Sequence, residues 1–157
     1  MTAAPSKTIV IGVGNEFRGD DGAGLAVARL LREQLSPEIA VLEESGEGTS
    51  LMDAWRSASR VFLIDAVHSG AAPGTIHRLD ASCDPLPTAL FPCSTHAFGV
   101  ADAIAMARVL HELPVALIIY GIEAASFDES QGLSDAVQRA VTAVAERIVL
   151  ELCAPPD

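Results

Sequence analysis

The sequence predicts an α/β domain of three layers, in which a twisted, mostly parallel sheet lies between helices on both faces. Short β-branched apolar runs alternate along the chain with segments whose apolar residues recur at helical spacing. The chain has 157 residues, half of them apolar, which suits one domain with a substantial core. We therefore expect residues 1–157 to form a single domain.

The first half of the chain predicts three strands and two helices. KTIVIGVG (7–14) is β-branched and ends in glycine, as is typical of a buried strand. Apolar residues then fall on one helical face between residues 23 and 31. IAVLEE (39–44) and RVFLIDAV (60–67) predict two further strands, and a short helix is expected between them at 50–58.

The second half predicts two strands and two helices. GTIHRLD (74–80) alternates in polarity and predicts an outer strand. The segment 99–113 predicts a helix, and PVALIIYGIE (114–123) a strand that follows a proline. Helical spacing from Leu133 onward predicts a final helix. Ligands of such sheets bind at the carboxyl ends of the strands, so we look for the functional site there.

Composition argues against several classes of function. The net charge is −11 with ten basic residues, which disfavours nucleic acid and anionic membranes as partners. No apolar run approaches the roughly 20 residues of a membrane span, and the start resembles no secretory leader. Cys83, Cys93 and Cys153 are few and widely spaced, which predicts neither a disulfide framework nor a zinc knuckle. We expect a cytoplasmic protein.

The loop VGNEFRGDDGAG (13–24) opens like a dinucleotide-binding loop but does not complete the motif. Gly12 and Gly14 match G-x-G-x-x-G, whereas the third position is Phe17, and no P-loop G-K-[ST] is present. Glu43 or Glu44 imitates the acid that binds a ribose. However, carboxylates inside the loop would repel a pyrophosphate, so nucleotide binding is the weaker alternative.

The carboxylates of this loop suggest a cation instead. Asp20 or Asp21 is expected to cap the helix that begins near Gly22, by accepting its free N–H groups. Glu16 lies too early to cap that helix, which makes it the better candidate ligand. The alternative for Glu16 is a solvated loop acid.

Two further candidates lie at other strand ends. Asp65 ends an apolar strand and needs a partner, because burying a lone carboxylate is costly. His96 precedes the 99–113 helix. Two carboxylates and an imidazole suit a divalent metal such as nickel, zinc or copper. The alternatives are a structural aspartate that caps a loop and a histidine in the first turn of a helix.

Other reactive residues are weaker candidates. Cys93 lies near His96, but no third group completes a nucleophilic set, and a G-x-S-x-G elbow is absent. His68 has little support, and surface positions are expected for His77 in its alternating strand and His111 on a helix flank.

Four motifs in order resemble the hydrogenase maturation endopeptidases: IGVGNEFRGDDGAG, LIDAVHSG, STHAFG and YGIE. The resemblance covers about the whole chain and implies the α/β fold predicted above. It implies an aspartic-type endopeptidase that removes the C-terminal extension of a [NiFe]-hydrogenase large-subunit precursor. The family's metal contacts match Glu16, Asp65 and His96 here.

The resemblance also implies that nickel is supplied by the precursor, although zinc or cadmium could occupy the same site. Asp65 would then act as general base for the attacking water. The metal would either take part in hydrolysis or serve only as a recognition element that makes cleavage conditional on nickel loading. Asp20 and Asp21 would shape the loop or bind the precursor backbone, and ESGEGTS (44–50) would contact the precursor peptide. We expect a monomer, and the alternative function is a non-enzymatic nickel-binding or sensing module.

Overall fold

A five-stranded sheet forms the centre of the computed structural model, which describes residues 7–87, 90–91, 98–129 and 132–154. The strands are β1 (Thr8–Val13), β2 (Ala40–Glu44), β3 (Arg60–Val67), β4 (Ile76–Asp80) and β5 (Ala116–Glu123). The helices are α1 (Ala23–Gln34), α2 (Gly48–Trp55), α3 (Val100–Val109) and α4 (Asp135–Cys153). A short 3₁₀ turn at Gly19–Gly22 leads directly into α1.

The strands lie in the order β2-β1-β3-β5-β4. All neighbours are parallel except β4, which pairs antiparallel with β5 at the sheet edge. The central strands β3 and β5 are buried on both faces, which explains why their sequences are continuous apolar runs. The edge strand β4 is only partly buried, and its sequence alternates accordingly. The predicted mostly parallel sheet with an outer strand is confirmed.

Helices cover both faces of the sheet and divide the core in two. On one face, α1 and α4 pack against apolar side chains that include Val10, Phe62 and Ile118. On the other face, α2 and α3 pack around Trp55 and against Ile11 and Leu63. The alternation of neighbouring residues along β1 and β3 between the two cores follows from the pleat of the strands. The predicted three-layer arrangement is therefore confirmed.

The strands that follow β1 in sequence are added on opposite sides of it. From β1 the chain crosses to β2 on one side and then returns to β3 on the other. The connections that leave the carboxyl ends of β1 and β3 therefore diverge, and a crevice opens between them. This topological switch point lies beside Val13, the last residue of β1, and Asp65 near the end of β3.

Two helix boundaries differ from the sequence prediction for identifiable reasons. Helix α2 begins at Gly48 because the Glu47 carboxylate accepts hydrogen bonds from the N–H groups of Thr49 and Ser50, both at 3.0 Å. Helix α3 ends at Val109, four residues before the predicted end. His111 takes a left-handed conformation with φ of 56°, and the Glu112 N–H bonds back to the Ala107 carbonyl.

Among the described residues, no helix combines the length and apolarity needed to cross a bilayer. Cys83 and Cys153 are exposed free thiols. Cys93 lies outside the described residues.

Candidate functional site

A cavity of about 280 Å³ lies at the carboxyl ends of β1 and β3, in the crevice of the switch point. One wall comes from the loop after β1 and from Phe127, which follows β5. The opposite wall comes from the start of α3 and from Leu90 and Phe91. The polar side chains that line it are Arg18, Asp21, Ser45, Asp65, His68 and Asp102.

Asp65 is a buried carboxylate in this lining, with 9% of its surface exposed. It continues β3 past Ile64, and the pleat directs neighbouring side chains to opposite faces. Burial and the nearby Asp21 carboxylate raise the pKa of Asp65 well above its usual range, opposed by the Ala66 N–H. No Lys or Arg in the described ranges forms an ion pair with it. A cation placed in the cavity would stabilise its ionised form.

Asp21 lies beside Asp65 and close to the guanidinium group of Arg18. Its carboxylate oxygen is 3.7 Å from Arg18 Nη1, and its side chain is 19% exposed. The Arg18 guanidinium also lies over the Phe127 ring, with Cζ 5.5 Å from the ring centroid. Phe127 in turn makes an edge contact with the His68 ring at 6.1 Å between centroids. These residues form one continuous side of the cavity.

Asp20 is fully buried and does not cap α1. Its carboxylate accepts hydrogen bonds from the N–H groups of Ala125 and Ser134, both at 2.7 Å, and from that of Ser126. It also accepts from the Ser134 hydroxyl at 3.0 Å. The capping position of α1 is Gly22, without a side-chain hydrogen bond, so the prediction that Asp20 or Asp21 caps this helix is wrong. Asp20 instead fixes the loop after β1 to the loop that follows β5.

Glu16 lies in the loop after β1 but does not line the cavity. Its Oε2 is 2.8 Å from Arg29 Nη1 on α1, and its side chain is 46% exposed. Arg29 also pairs with Glu43, which pairs with Arg32. The Arg32 and Arg29 guanidinium groups hold the pKa of Glu43 below its usual value. Because exposed pairs of this kind contribute about 0–1 kcal/mol, Glu16 can exchange Arg29 for another cation at small cost.

His96, the third predicted ligand, lies outside the described residues. The described residues on both sides of it border the cavity, namely Phe91 before it and Gly99 after it. Phe98 packs against Gly48, whose N–H donates to the Phe98 carbonyl at 2.8 Å. A hypothetical Cβ on Gly48 would come within 2.1 Å of the Phe98 ring, so a side chain there would displace it.

The glycines of the opening loop serve close packing. A Cβ on Gly12 would lie 2.3 Å from the Gly24 carbonyl oxygen, and one on Gly24 equally close to that of Ile64. Gly14 has φ of 150°, and a Cβ there would meet the Asp21 carbonyl oxygen at 1.9 Å. Helix α1 therefore lies directly against β1 and β3. This packing accounts for a partial dinucleotide motif without a nucleotide.

His77, His111 and Glu123 are not part of the cavity lining. His111 is exposed as expected, whereas His77 is partly buried beside Glu123, with Nε2 3.9 Å from a carboxylate oxygen. Burial would raise the pKa of Glu123, but hydrogen bonds from Ser69 and Ala71 lower it overall. Glu123 therefore holds the loop after β3, although it lies at a strand end.

The lining suits a divalent cation only in part. Within the described ranges, no group of three or more His, Cys, Asp or Glu residues could hold a metal ion. Asp65 has the chemistry of such a ligand, because it offers carboxyl oxygens without a basic partner there, and a bound cation would favour its ionised form over the raised pKa. The described lining therefore supplies fewer donors than a metal site of its own needs, and the contacts predicted for Glu16 and His96 stay predictions.

Sequence reasoning missed Arg18 and Phe127, which line the cavity together. Arg18 is visible in the sequence as the cation between the loop carboxylates, but no motif connects it to Phe127. Asp102 was also missed. Its carboxylate accepts from the Gly99 N–H at 3.1 Å at the start of α3.

Comparison with known proteins gives a consistent result. A sequence model of the hydrogenase maturation proteases matches residues 25–151. The hydrogenase expression/formation protein HupD of Thiocapsa roseopersicina is 27% identical over 128 residues. That alignment covers 80% of this chain but only 58% of HupD, so the chain spans little more than half of that relative.

Solved structures agree in fold over nearly the whole chain. The hydrogenase maturating endopeptidase HybD from E. coli matches with a TM-score of 0.78 and 26% identity, covering 93% of this chain and 91% of its own. The [NiFe] hydrogenase maturation protease HybD from Thermococcus kodakarensis matches with a TM-score of 0.71 and 27% identity, covering 94% and 99%.

Proposed function

Since the chain belongs to the hydrogenase maturation protease family, we propose that it is an endopeptidase that removes the C-terminal extension of a [NiFe]-hydrogenase large-subunit precursor. One structural observation supports this proposal independently of family membership. Asp65 is a buried carboxylate that lines a cleft at the switch point and has no basic partner in the described part of the chain. Such a group is disfavoured in a purely structural role.

The substrate in this proposal is a precursor that already carries nickel. Asp65 contacts the nickel of the precursor, and Glu16 and His96 are the two further proposed contacts. Glu16 leaves its ion pair with Arg29, which is exposed and therefore weak. The incomplete donor set described above supports a metal held mainly by the substrate.

Asp65 is also the proposed general base for hydrolysis. It accepts a proton from a water molecule whose oxygen attacks the carbonyl carbon of the scissile bond. A C–O bond forms, and the proton passes to the nitrogen as the C–N bond breaks. The net reaction adds OH to the acyl part and H to the amine, so no other reactant is needed. We propose that it takes place in the cytoplasm.

Two alternatives make different predictions. A non-enzymatic nickel-binding module would use the same residues, bind metal tightly without a partner, and leave the precursor uncut. A nucleotide-binding domain would be stabilised against heat by millimolar dinucleotide. The carboxyl groups of Asp21 and Asp65 in the lining disfavour this second alternative, because carboxylates repel a pyrophosphate.

Intact mass of a matched large-subunit precursor, with and without nickel, tests the proposal. Incubation with this protein is expected to remove a C-terminal peptide only from the nickel-loaded precursor. Asp65→Asn is expected to lower the rate by at least about 100-fold, because removal of a general base has effects of this size. Asp53→Asn is the matched control, since Asp53 is exposed on α2 and pairs with Arg56.

The outcomes separate the alternatives. Wild-type rates for Asp65→Asn would show that the site is misplaced. No cleavage by the wild type, together with tight nickel binding by the protein alone, would favour the non-enzymatic module. His96→Ala is expected to abolish cleavage, whereas the control His111→Asn retains it.

A further inference from the structure

The lining of the cavity is strongly acidic apart from one side chain. Among the described lining residues, Asp21, Asp65 and Asp102 carry carboxylates, whereas Arg18 is the only lysine or arginine. A peptide entering the cavity brings neutral carbonyl groups. During hydrolysis one carbonyl oxygen acquires negative charge, which neighbouring carboxylates destabilise. A positive group close to that oxygen would stabilise the developing charge, and Arg18 lies in the lining where it can supply one.

Arg18 is held in position without its hydrogen-bonding capacity being used. The distance of 3.7 Å to Asp21 is too long for a hydrogen bond, so this contact is a charge interaction. The Arg18 Cζ lies over the Phe127 ring, 5.5 Å from its centroid, and such a contact holds the guanidinium without an oxygen acceptor. No acceptor in the described part of the chain lies within hydrogen-bond distance of the guanidinium. Its side chain is 30% exposed, so a ligand can reach it.

We propose that Arg18 is a catalytic residue that donates hydrogen bonds to the carbonyl oxygen of the scissile bond and to the carboxylate formed by cleavage. This inference rests on the proposed peptidase function. It assigns Arg18 to substrate oxygen, and Asp21 and Phe127 to holding the guanidinium in place. Arginine suits this task because its fork binds the two oxygens of a carboxylate at once.

As the water oxygen bonds to the carbonyl carbon, Asp65 takes one of the water protons and the π electron pair moves onto the carbonyl oxygen, where Arg18 stabilises it. When the C–N bond breaks, its electron pair stays on nitrogen, which takes the proton from Asp65, and the oxygen pair re-forms the C=O bond. The carboxylic acid formed then gives its remaining proton to the amine, which leaves as an ammonium group. Arg18 keeps all its protons throughout and pairs with the product carboxylate until release.

The competing explanation is that Arg18 acts only through Asp21, by keeping its carboxylate in place beside Asp65. Kinetics of cleavage of the nickel-loaded precursor separate the two. Arg18→Ala is expected to lower kcat by about 100-fold or more, with KM changed only a few-fold, as for loss of one oxyanion donor. Added methylguanidinium is expected to restore part of this loss, because it supplies the missing donors. Arg18→Lys is expected to retain intermediate activity.

A second readout concerns the product. The matured large subunit ends in the new carboxylate, so it is expected to inhibit the wild type more strongly than Arg18→Ala. Arg56→Ala is the control, since Arg56 is an exposed arginine that pairs with Asp53 away from the cavity. Urea unfolding of each variant excludes a loss of fold.

The inference is overturned if Arg18→Ala cleaves within about three-fold of the wild type while the wild type and Asp65→Asn behave as proposed. It is also overturned if Asp21→Asn alone is as slow as the Arg18→Ala, Asp21→Asn double variant, because Arg18 would then act through Asp21. If the wild type does not cleave the precursor, the proposed function fails first and this inference fails with it.

Discussion

Asp20 and Asp21 are adjacent in sequence but have different structural roles. Asp20 is fully buried and accepts four hydrogen bonds from residues 125–134. Asp21 lines the cavity beside Asp65. Adjacent residues point in different directions where the backbone turns, and the 3₁₀ turn at Gly19–Gly22 separates the two carboxylates. The first carboxylate therefore shapes the site and the second belongs to it.

Replacement of Asp20 tests the structural half of this division. Asp20→Asn keeps the size of the side chain but turns an acceptor oxygen into an NH₂ group that faces N–H donors. We expect it to lower the free energy of unfolding by about 2–4 kcal/mol, since a charged acceptor of several buried donors is lost. Urea unfolding measures the change. The exposed control Asp53→Asn is expected to change it by less than about 0.5 kcal/mol, and equal effects would contradict the assignment.

The limits of sequence reasoning are clear at the level of single residues. Asp65 could be selected because a carboxylate at the end of an apolar strand needs an explanation. Glu16 was selected by its place in the loop, but its ion pair with Arg29 depends on how α1 packs on β1. Arg18 was missed because its partner Phe127 is distant in sequence. Positions along a strand are set by local pattern, whereas contacts between loops depend on the folded chain.

At the scale of elements, the glycines let α1 lie unusually close to the sheet. Gly24→Ala would place a Cβ 2.3 Å from the Ile64 carbonyl oxygen and 2.4 Å from that of Val13, both backbone atoms that cannot rotate away. We expect a loss of about 2 kcal/mol or more in unfolding free energy. Gly132→Ala is the control, because no atom of the described residues lies within 4 Å of a Cβ built there. Equal denaturation midpoints for the two variants would contradict close packing.

Helix α2 has a cap whose effect depends on pH. Hydrogen bonds from Thr49 and Ser50 lower the pKa of Glu47 to about 2. An acid whose pKa is depressed in the folded state stabilises that state above its unfolded pKa, and this stabilisation is lost as the acid is protonated. We therefore expect Glu47→Gln to be less stable than the wild type at pH 7. The difference is expected to shrink as pH falls from about 4.5 to about 2.

Thermal unfolding across this pH range measures the Glu47 effect. Glu38→Gln, in the exposed loop before β2, is the matched control for removal of one acidic charge. A difference between wild type and Glu47→Gln that stays constant down to pH 2 would contradict the proposed cap.

The strands and helices themselves were predictable to within a few residues. The periodicity of their apolar residues reflects burial on one or both faces, and this pattern can be seen among residues that are close in sequence. The end of α3 was not predicted, because apolar residues continue beyond Val109. Val109 and Leu110 are in fact 75% and 51% exposed, so the apolar pattern overstated the length of the helix. The conformation of His111 decides where this helix stops.

At the scale of the whole molecule, the cavity joins the two helical layers. Arg18 and Phe127 approach it from the side of α1 and α4, whereas Phe91 and the start of α3 approach it from the other side. The rule that ligands bind at the carboxyl ends of parallel strands predicted the strand ends as the place of the site. The strand order, which puts the switch point between β1 and β3, was not predicted, because alternation of strands and helices does not determine it. The side chains that meet across the cleft could not be derived in this way.

The hydrogen bonds of Asp20 also have a consequence for the order of folding. They join the loop after β1 to residues more than a hundred positions later, and β5 inserts between β3 and β4. Contacts of such long sequence separation form late, because a large chain loop must close first. During synthesis, this wall of the cleft can therefore be completed only after the beginning of α4 has left the ribosome. A nascent chain that ends before Ser134 therefore lacks the partners that hold Asp20 and has an incomplete wall of the cleft.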